Sequence, residues 1–193
     1  MNRLVVVDTC TVINFAAVDH LPLLLSTFPG HLRYTEAVHR ELRDLVAEYD
    51  GLLSILGRAQ LGEPVEFSDP VDIADIDRLR RTQLGGRRGL PRQHLGEAQS
   101  IHLLRTTPSY AGATLLSDDS AAVDHARRTG LRAIESADVL KRAYLRRSIG
   151  CPDAYELLVA MRDAGRGVRV PASHQDVCPM PKTRMSRSVS RTG

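Results

Sequence analysis

The chain has 193 residues, 42% hydrophobic and 25% charged, with a net charge of +3, an ordinary globular balance that suits one domain. Collagen-like, coiled-coil and wholly disordered polypeptides are excluded, and no apolar run approaches the ~20 residues needed to cross a bilayer. The first apolar run meets Asp8 after four residues, too early for a secretory leader, so a cytoplasmic protein without a membrane role is expected.

In chain order, residues 4–7 (Leu-Val-Val-Val) read as a strand buried on both faces of a parallel sheet. A helix follows Asp8 to about residue 18, and another covers residues 21–27. Residues 32–34 are briefly extended. Thr35 can cap a helix over residues 36–49, whose apolar face is Val38, Leu42, Leu45, Val46 and Tyr49. Residues 51–60 fit a further helix, 65–67 a strand, 70–81 a short helix and 95–105 a longer one. Then come a strand at 113–117, a helix at 120–129, a strand at 131–134, helices at 137–147 and 152–164, and a short strand near 168–170. Strands separated by helices predict βαβ units and a layered α/β domain over residues 1–180.

Charge is unevenly spread. Residues 181–193 carry four basic side chains (Lys182, Arg184, Arg187, Arg191) and no acid, so without them the net charge of +3 becomes −1. That Ser/Arg/Thr-rich tail has the composition of a disordered segment. Residues 78–92 hold six arginines, no acid and three glycines, and read as a mobile loop after a short helix; it is either solvated or phosphate-contacting. Cys10, Cys151 and Cys178 form no C-x-x-C pair and no ligand-spaced cluster with the seven histidines, so free thiols are expected rather than disulfides or zinc.

The acids are more informative. Asp8 follows the first strand, and Asp118 and Asp119 follow the strand ending at Ser117. In a parallel sheet, ligands gather beyond the carboxyl ends of the strands, although a helix N-cap explains each acid slightly better on its own. At about 100° per residue, Glu97 lies about 40° from Ile101 and about 20° from Leu104, near the centre of an apolar stripe. Glu41 lies at the edge of its stripe, about 40° from Leu45 and about 60° from Val38. Buried carboxylates are expensive unless paired or metal-bound. Four acidic sites on four elements therefore suggest one converging pocket. Hard divalent cations neutralise such a pocket with oxygen ligands and can activate water against a phosphate.

These residues resemble a known family. V-V-V-D-T-C-T-V-I-N-F (5–15), A-V-x-x-E-L (37–42), L-G-E-A-x-x-I (95–101) and L-L-S-D-D-S-A-A (115–122) resemble, in order and approximate spacing, the PIN-domain ribonucleases. The likeness covers residues 3–135, and longer PIN-like members continue through a helical extension matching residues 136–170. It implies a three-layer α/β/α fold with a central parallel sheet of about five strands. It also implies an Mg²⁺- or Mn²⁺-dependent endoribonuclease, often the toxin of a VapBC-type pair with a cognate antitoxin; whether the chain is a homodimer stays open. Carried over, Asp8 is the first metal ligand, Glu41 the second acid, Glu97 the third where many toxins have Asp, and Asp119 the fourth. Asp118 is a contributing neighbour, and Thr9 and Ser117 orient the acids. Independently of the resemblance, the basic 78–92 loop predicts RNA phosphate contacts from Arg87, Arg88 and Arg92. The alternatives are a haloacid-dehalogenase-type phosphatase and an inactive PIN-like binding module. The phosphatase needs a second acid where Cys10 stands and a lysine before Lys141; the inactive module sits poorly with four filled acidic positions.

Overall fold

The computed structural model describes residues 4–49, 51–56 and 61–179. Four strands, β1 (Val5–Val7), β2 (Leu32–Arg33), β3 (Thr114–Leu116) and β4 (Arg132–Ile134), form one parallel sheet in the order β2-β1-β3-β4. The chain leaves β1 towards β2 on one side and returns to β3 on the other. Strand order therefore reverses between β1 and β3, which opens a crevice at their carboxyl ends.

Alternation along these strands divides the core in two. Val5, Val7 and Leu116 face α1 (Thr9–Ala16), α2 (Leu21–Thr27), α3 (Glu36–Asp44) and α4 (Gly51–Leu56), together with α8 (Ser136–Leu145) and α9 (Asp153–Asp163). Val6 and Leu115 face α5 (Pro70–Thr82), α6 (Leu95–Thr106) and α7 (Ser120–Arg128). Helices on both faces of the sheet make the expected three-layer α/β/α domain. Phe15, Leu24, Leu42, Leu140 and Leu158 pack in one cluster, so the two C-terminal helices share the main core.

The sheet has four strands rather than about five. The expected strand at 65–67 shrinks to a single parallel bridge between Thr35 and Val65. Pro64 immediately before it has no N–H to extend the ladder. Residues 168–170 pair with no strand among those described; Val168 and Val170 instead pack half-buried on the core. Helix α3 stops at Asp44, and Leu45, Val46 and Tyr49 reach the core from the turn beyond it. Thr35 does not cap α3 through its hydroxyl, which is buried without a partner; Gln99 Oε1 accepts instead from the Ala37 amide at 3.0 Å. Residues 57–60, the end of another expected helix, and the basic tail at 181–193 lie outside the described residues. All three cysteines are free, and no described helix is long and apolar enough to cross a membrane.

The arginine/glycine loop is anchored. Arg80, 3% exposed, donates through Nη1 to the carbonyls of Arg87, Leu90 and Gln93, while its Nε and Nη2 reach Asp77. A Cβ on Gly86 would lie 2.8 Å from the Arg80 guanidinium and 3.0 Å from its carbonyl oxygen, so only glycine fits there.

Candidate functional site

Asp8 ends β1 and begins α1, and it is almost fully buried. Its two oxygens have separate tasks. Oδ1 accepts from the Thr9 amide at 2.8 Å as a helix cap, whereas Oδ2 accepts from Ser117 Oγ at 2.9 Å and Cys10 Sγ at 3.1 Å. Asp119 divides in the same way. Oδ1 accepts from the Ala122 amide at 2.8 Å and caps α7, leaving Oδ2 3.8 Å from His94 Nδ1. The cap and the site are thus one carboxylate each, not rival explanations. Ser117 ties them together, because its Oγ donates to Asp8 and accepts from the Asp119 amide at 3.1 Å.

Glu41 and Glu97 come from the two helices that cross beside this crevice. Thr9 Oγ1 donates to Glu41 Oε2 in a short hydrogen bond. Gln99 fastens α6 to the start of α3, since its Nε2 donates to Glu36 Oε1 at 3.1 Å while its Oε1 takes the Ala37 amide. Gly96 lets the helices meet. A Cβ there would stand 3.0 Å from Val38 Cγ2, 3.4 Å from Asp8 Oδ1 and 3.5 Å from Glu41 Oε2. One small volume beside Gly96 therefore touches two of the four acids.

The electrostatics follow from burial. Desolvation, reinforced by Glu97, pushes Asp8 from 3.8 to about 8. Desolvation likewise raises Glu41 and Glu97 from 4.5 to about 7 each, with Asp8 adding to Glu41, and Asp119 and Glu41 adding to Glu97. Hydrogen bonds from Ser117, Cys10 and Thr9 oppose this but do not overcome it. Among the described residues, no lysine or arginine is hydrogen-bonded to Asp8, Glu41, Glu97 or Asp119. His94 Nδ1, Glu97 and Asp119 offer ligand atoms within 4.8 Å of one another. An oxygen-rich, charge-uncompensated set of this kind fits a divalent cation.

Asp118 is placed differently. Its Oδ2 accepts from Thr11 Oγ1 (3.1 Å), Asn14 Nδ2 (2.8 Å) and Ser136 Oγ (2.5 Å), and its Oδ1 from the Ser136 amide (2.9 Å). Arg166 Nε donates in turn to Asn14 Oδ1 at 3.3 Å, so the C-terminal helices brace α1 through this carboxylate. Cys10 separates the two aspartates. Its thiol donates to Asp8 and accepts from the Asp118 amide at 3.2 Å. Burial and the flanking acids push that thiol well above its ordinary range, so it is no nucleophile.

Arg87, Arg88 and Arg92 are exposed on the segment leading into α6, and Arg92 Nη1 reaches Asp44 Oδ2 at 3.2 Å beside the end of α3. Sequence reasoning missed His94, Gly96 and Gln99. Only Gly96 carried a signal, since a glycine inside a helix costs about 1 kcal/mol relative to alanine and so points to a packing reason. A family model described as DUF3368, PIN domain, matches residues 4–175. No curated protein and no solved structure gave a match.

Proposed function

The chain belongs to the PIN-domain family, a nuclease fold, and from that premise we propose that it is a divalent-metal-dependent endoribonuclease. One observation carries this reading: four carboxyl groups, Asp8, Glu41, Glu97 and Asp119, converge from four elements on the β1/β3 crevice, and among the described residues no lysine or arginine is hydrogen-bonded to them.

In this reading Asp8, Glu97 and Asp119 hold Mg²⁺ or Mn²⁺. The bound ion supplies water activation and charge stabilisation on a phosphodiester. Ser117 holds Asp8 Oδ2 and the Asp119 backbone in fixed relation, so the acids meet the ion without first reorganising. Thr9 occupies Glu41 Oε2 and leaves Oε1 to take a proton from the attacking water. Arg87, Arg88 and Arg92 bind phosphates on either side of the cut, which positions the strand without reading its bases. Asp118 orients α1 rather than joining the ligand set, because all its partners are hydrogen-bond donors. The family resemblance extends the reading to a cytoplasmic toxin held in check by a cognate antitoxin.

Cleavage of a mixed-sequence RNA by the purified chain tests the proposal. Cleavage with Mg²⁺ or Mn²⁺, its loss in excess chelator and its loss in Asp8→Asn are expected. Cleavage that persists in chelator, or an Asp8→Asn chain of full activity, overturns it. Binding of RNA without cleavage under any of these metals returns the chain to an inactive binding module.

A further inference from the structure

The four-carboxylate reading gives His94 no task. Yet the chain turns into a left-handed conformation at this residue, with φ +58°, immediately before α6. Its side chain is about three-quarters buried, and Nδ1 lies 3.4 Å from Glu97 Oε1 and 3.8 Å from Asp119 Oδ2. We infer that His94 is a nitrogen ligand of the same divalent ion as Glu97 and Asp119, so that the site favours first-row transition ions, Mn²⁺ among them, over Mg²⁺. This rests on the metallonuclease reading and adds to it a ligand and a metal preference.

The spacing suits shared ligation. Atoms bound to one octahedral ion at about 2.1 Å lie roughly 3.0 Å apart when adjacent and roughly 4.2 Å apart when opposite. The two separations from Nδ1 exceed the adjacent value by about 0.4 Å and about 0.8 Å, and the three ligand atoms lie within 4.8 Å of one another, so small inward shifts bring them onto one ion. The 3.4 Å contact to Glu97 is a long hydrogen bond and the 3.8 Å contact to Asp119 a loose ion pair, both longer than the about 2.7–2.9 Å of a strong charge-assisted bond. The chemistry then sets the preference. Mg²⁺ takes oxygen ligands and gives up its waters reluctantly, whereas an imidazole nitrogen favours transition ions, increasingly so from Mn²⁺ onward.

The rival role, a cation that merely pairs with the acids, predicts the opposite sign on removal. A competing charge that is deleted should make metal binding tighter; a ligand that is deleted should make it weaker. His94→Gly and His94→Asn are suitable variants because both residues accept a positive φ, which keeps the backbone turn intact.

The experiment is pulsed electron paramagnetic resonance of Mn²⁺ bound to the full chain, paired with calorimetric titration of Mn²⁺ and Mg²⁺. A ¹⁴N coupling is expected in the wild type and should vanish in both variants. The Mn²⁺ dissociation constant should rise roughly ten- to a hundredfold in His94→Gly, with a smaller rise for Mg²⁺. Bound Mn²⁺ without nitrogen coupling, or a His94→Gly chain that binds Mn²⁺ as well or better, overturns the inference and leaves the nuclease reading standing. A wild type that binds neither ion overturns both.

Discussion

Stripped of metal, this protein should lose stability as the pH rises from 5 to 7, the reverse of ordinary acid denaturation. Asp8 titrates at about 8 in the native state, and Glu41 and Glu97 at about 7 each, against 3.8 and 4.5 for the free side chains. The native state therefore keeps protons that the unfolded chain has already released. The contribution is fully present below about pH 4 and is lost as the pH passes through the native values. Each retained proton is worth about 1.4 kcal/mol per pH unit. The three acids face one another, so the protons belong to the cluster rather than to single residues. Even one proton held from pH 5 to 7 lowers unfolding free energy by about 3 kcal/mol, a large share of the ~5–15 kcal/mol typical of a domain. Asp77 lies outside this window. The Arg80 hydrogen bond, aided by Arg81, holds it below its ordinary 3.8, so its contribution is lost only as pH falls further.

Urea unfolding of chelator-treated protein at pH 5, 6 and 7 measures this slope. Circular dichroism is the suitable probe because the chain has no tryptophan. Asp8→Asn should flatten the slope by up to about 1.4 kcal/mol per pH unit and match or exceed wild-type stability at pH 7. Mn²⁺ at about a hundred times its dissociation constant should restore about 2.7 kcal/mol to the wild type and much less to the variant. A metal-free stability that is flat or rising between pH 5 and 7 refutes the reasoning.

Asp118→Asn turns an amide towards four donors; it should cost about 2–4 kcal/mol in urea unfolding while Mn²⁺ affinity stays nearly unchanged. Were metal binding abolished at wild-type stability, Asp118 would be a ligand after all. Arg80→Lys cannot span three carbonyls and Asp77 at once, and should lose about 2–4 kcal/mol. Trypsin should then cut at Arg87 and Arg88 faster than in the wild-type chain, and an unaltered digestion pattern counts against the anchoring role. Replacing Arg87, Arg88 and Arg92 with Gln should flatten the salt dependence of single-stranded RNA binding by roughly 0.7 in log–log slope for each phosphate no longer neutralised. An unchanged slope marks that loop as merely solvated.

Residues that answer to a local rule were legible in the sequence. The Val5–Val7 run announced a buried strand, and Glu97 was visible as a carboxylate in an apolar stripe. Asp8 and Asp119 were legible as strand-end acids, although their double service as caps was not. What stayed hidden depends on partners distant in sequence. Gln99 replaces the Thr35 hydroxyl as the cap of α3 from 62 residues away, and no local pattern encodes that. Asp118 and Asp119 look interchangeable in a D-D pair until Ser136 and Asn14 claim the first. His94 gave no warning, since a positive φ at histidine leaves no mark on composition. The missing strand at 65–67 had a local cause in Pro64, which the apolar–polar alternation of Val65-Glu66-Phe67 beside it masks.

The Ser117 hydroxyl joins chain segments that are far apart in the order of synthesis. Asp119 is made 111 residues after Asp8. At roughly 5–20 residues per second, a ribosome needs roughly 6–22 s to get from one to the other. Throughout that interval the nascent chain carries Asp8 but lacks Asp119, and the parallel pairing of β1 with β3 that brings them together cannot form. For a chain built on a nuclease fold and born beside messenger and ribosomal RNA, topology thus delays assembly of the site until the last of its four acids has been made.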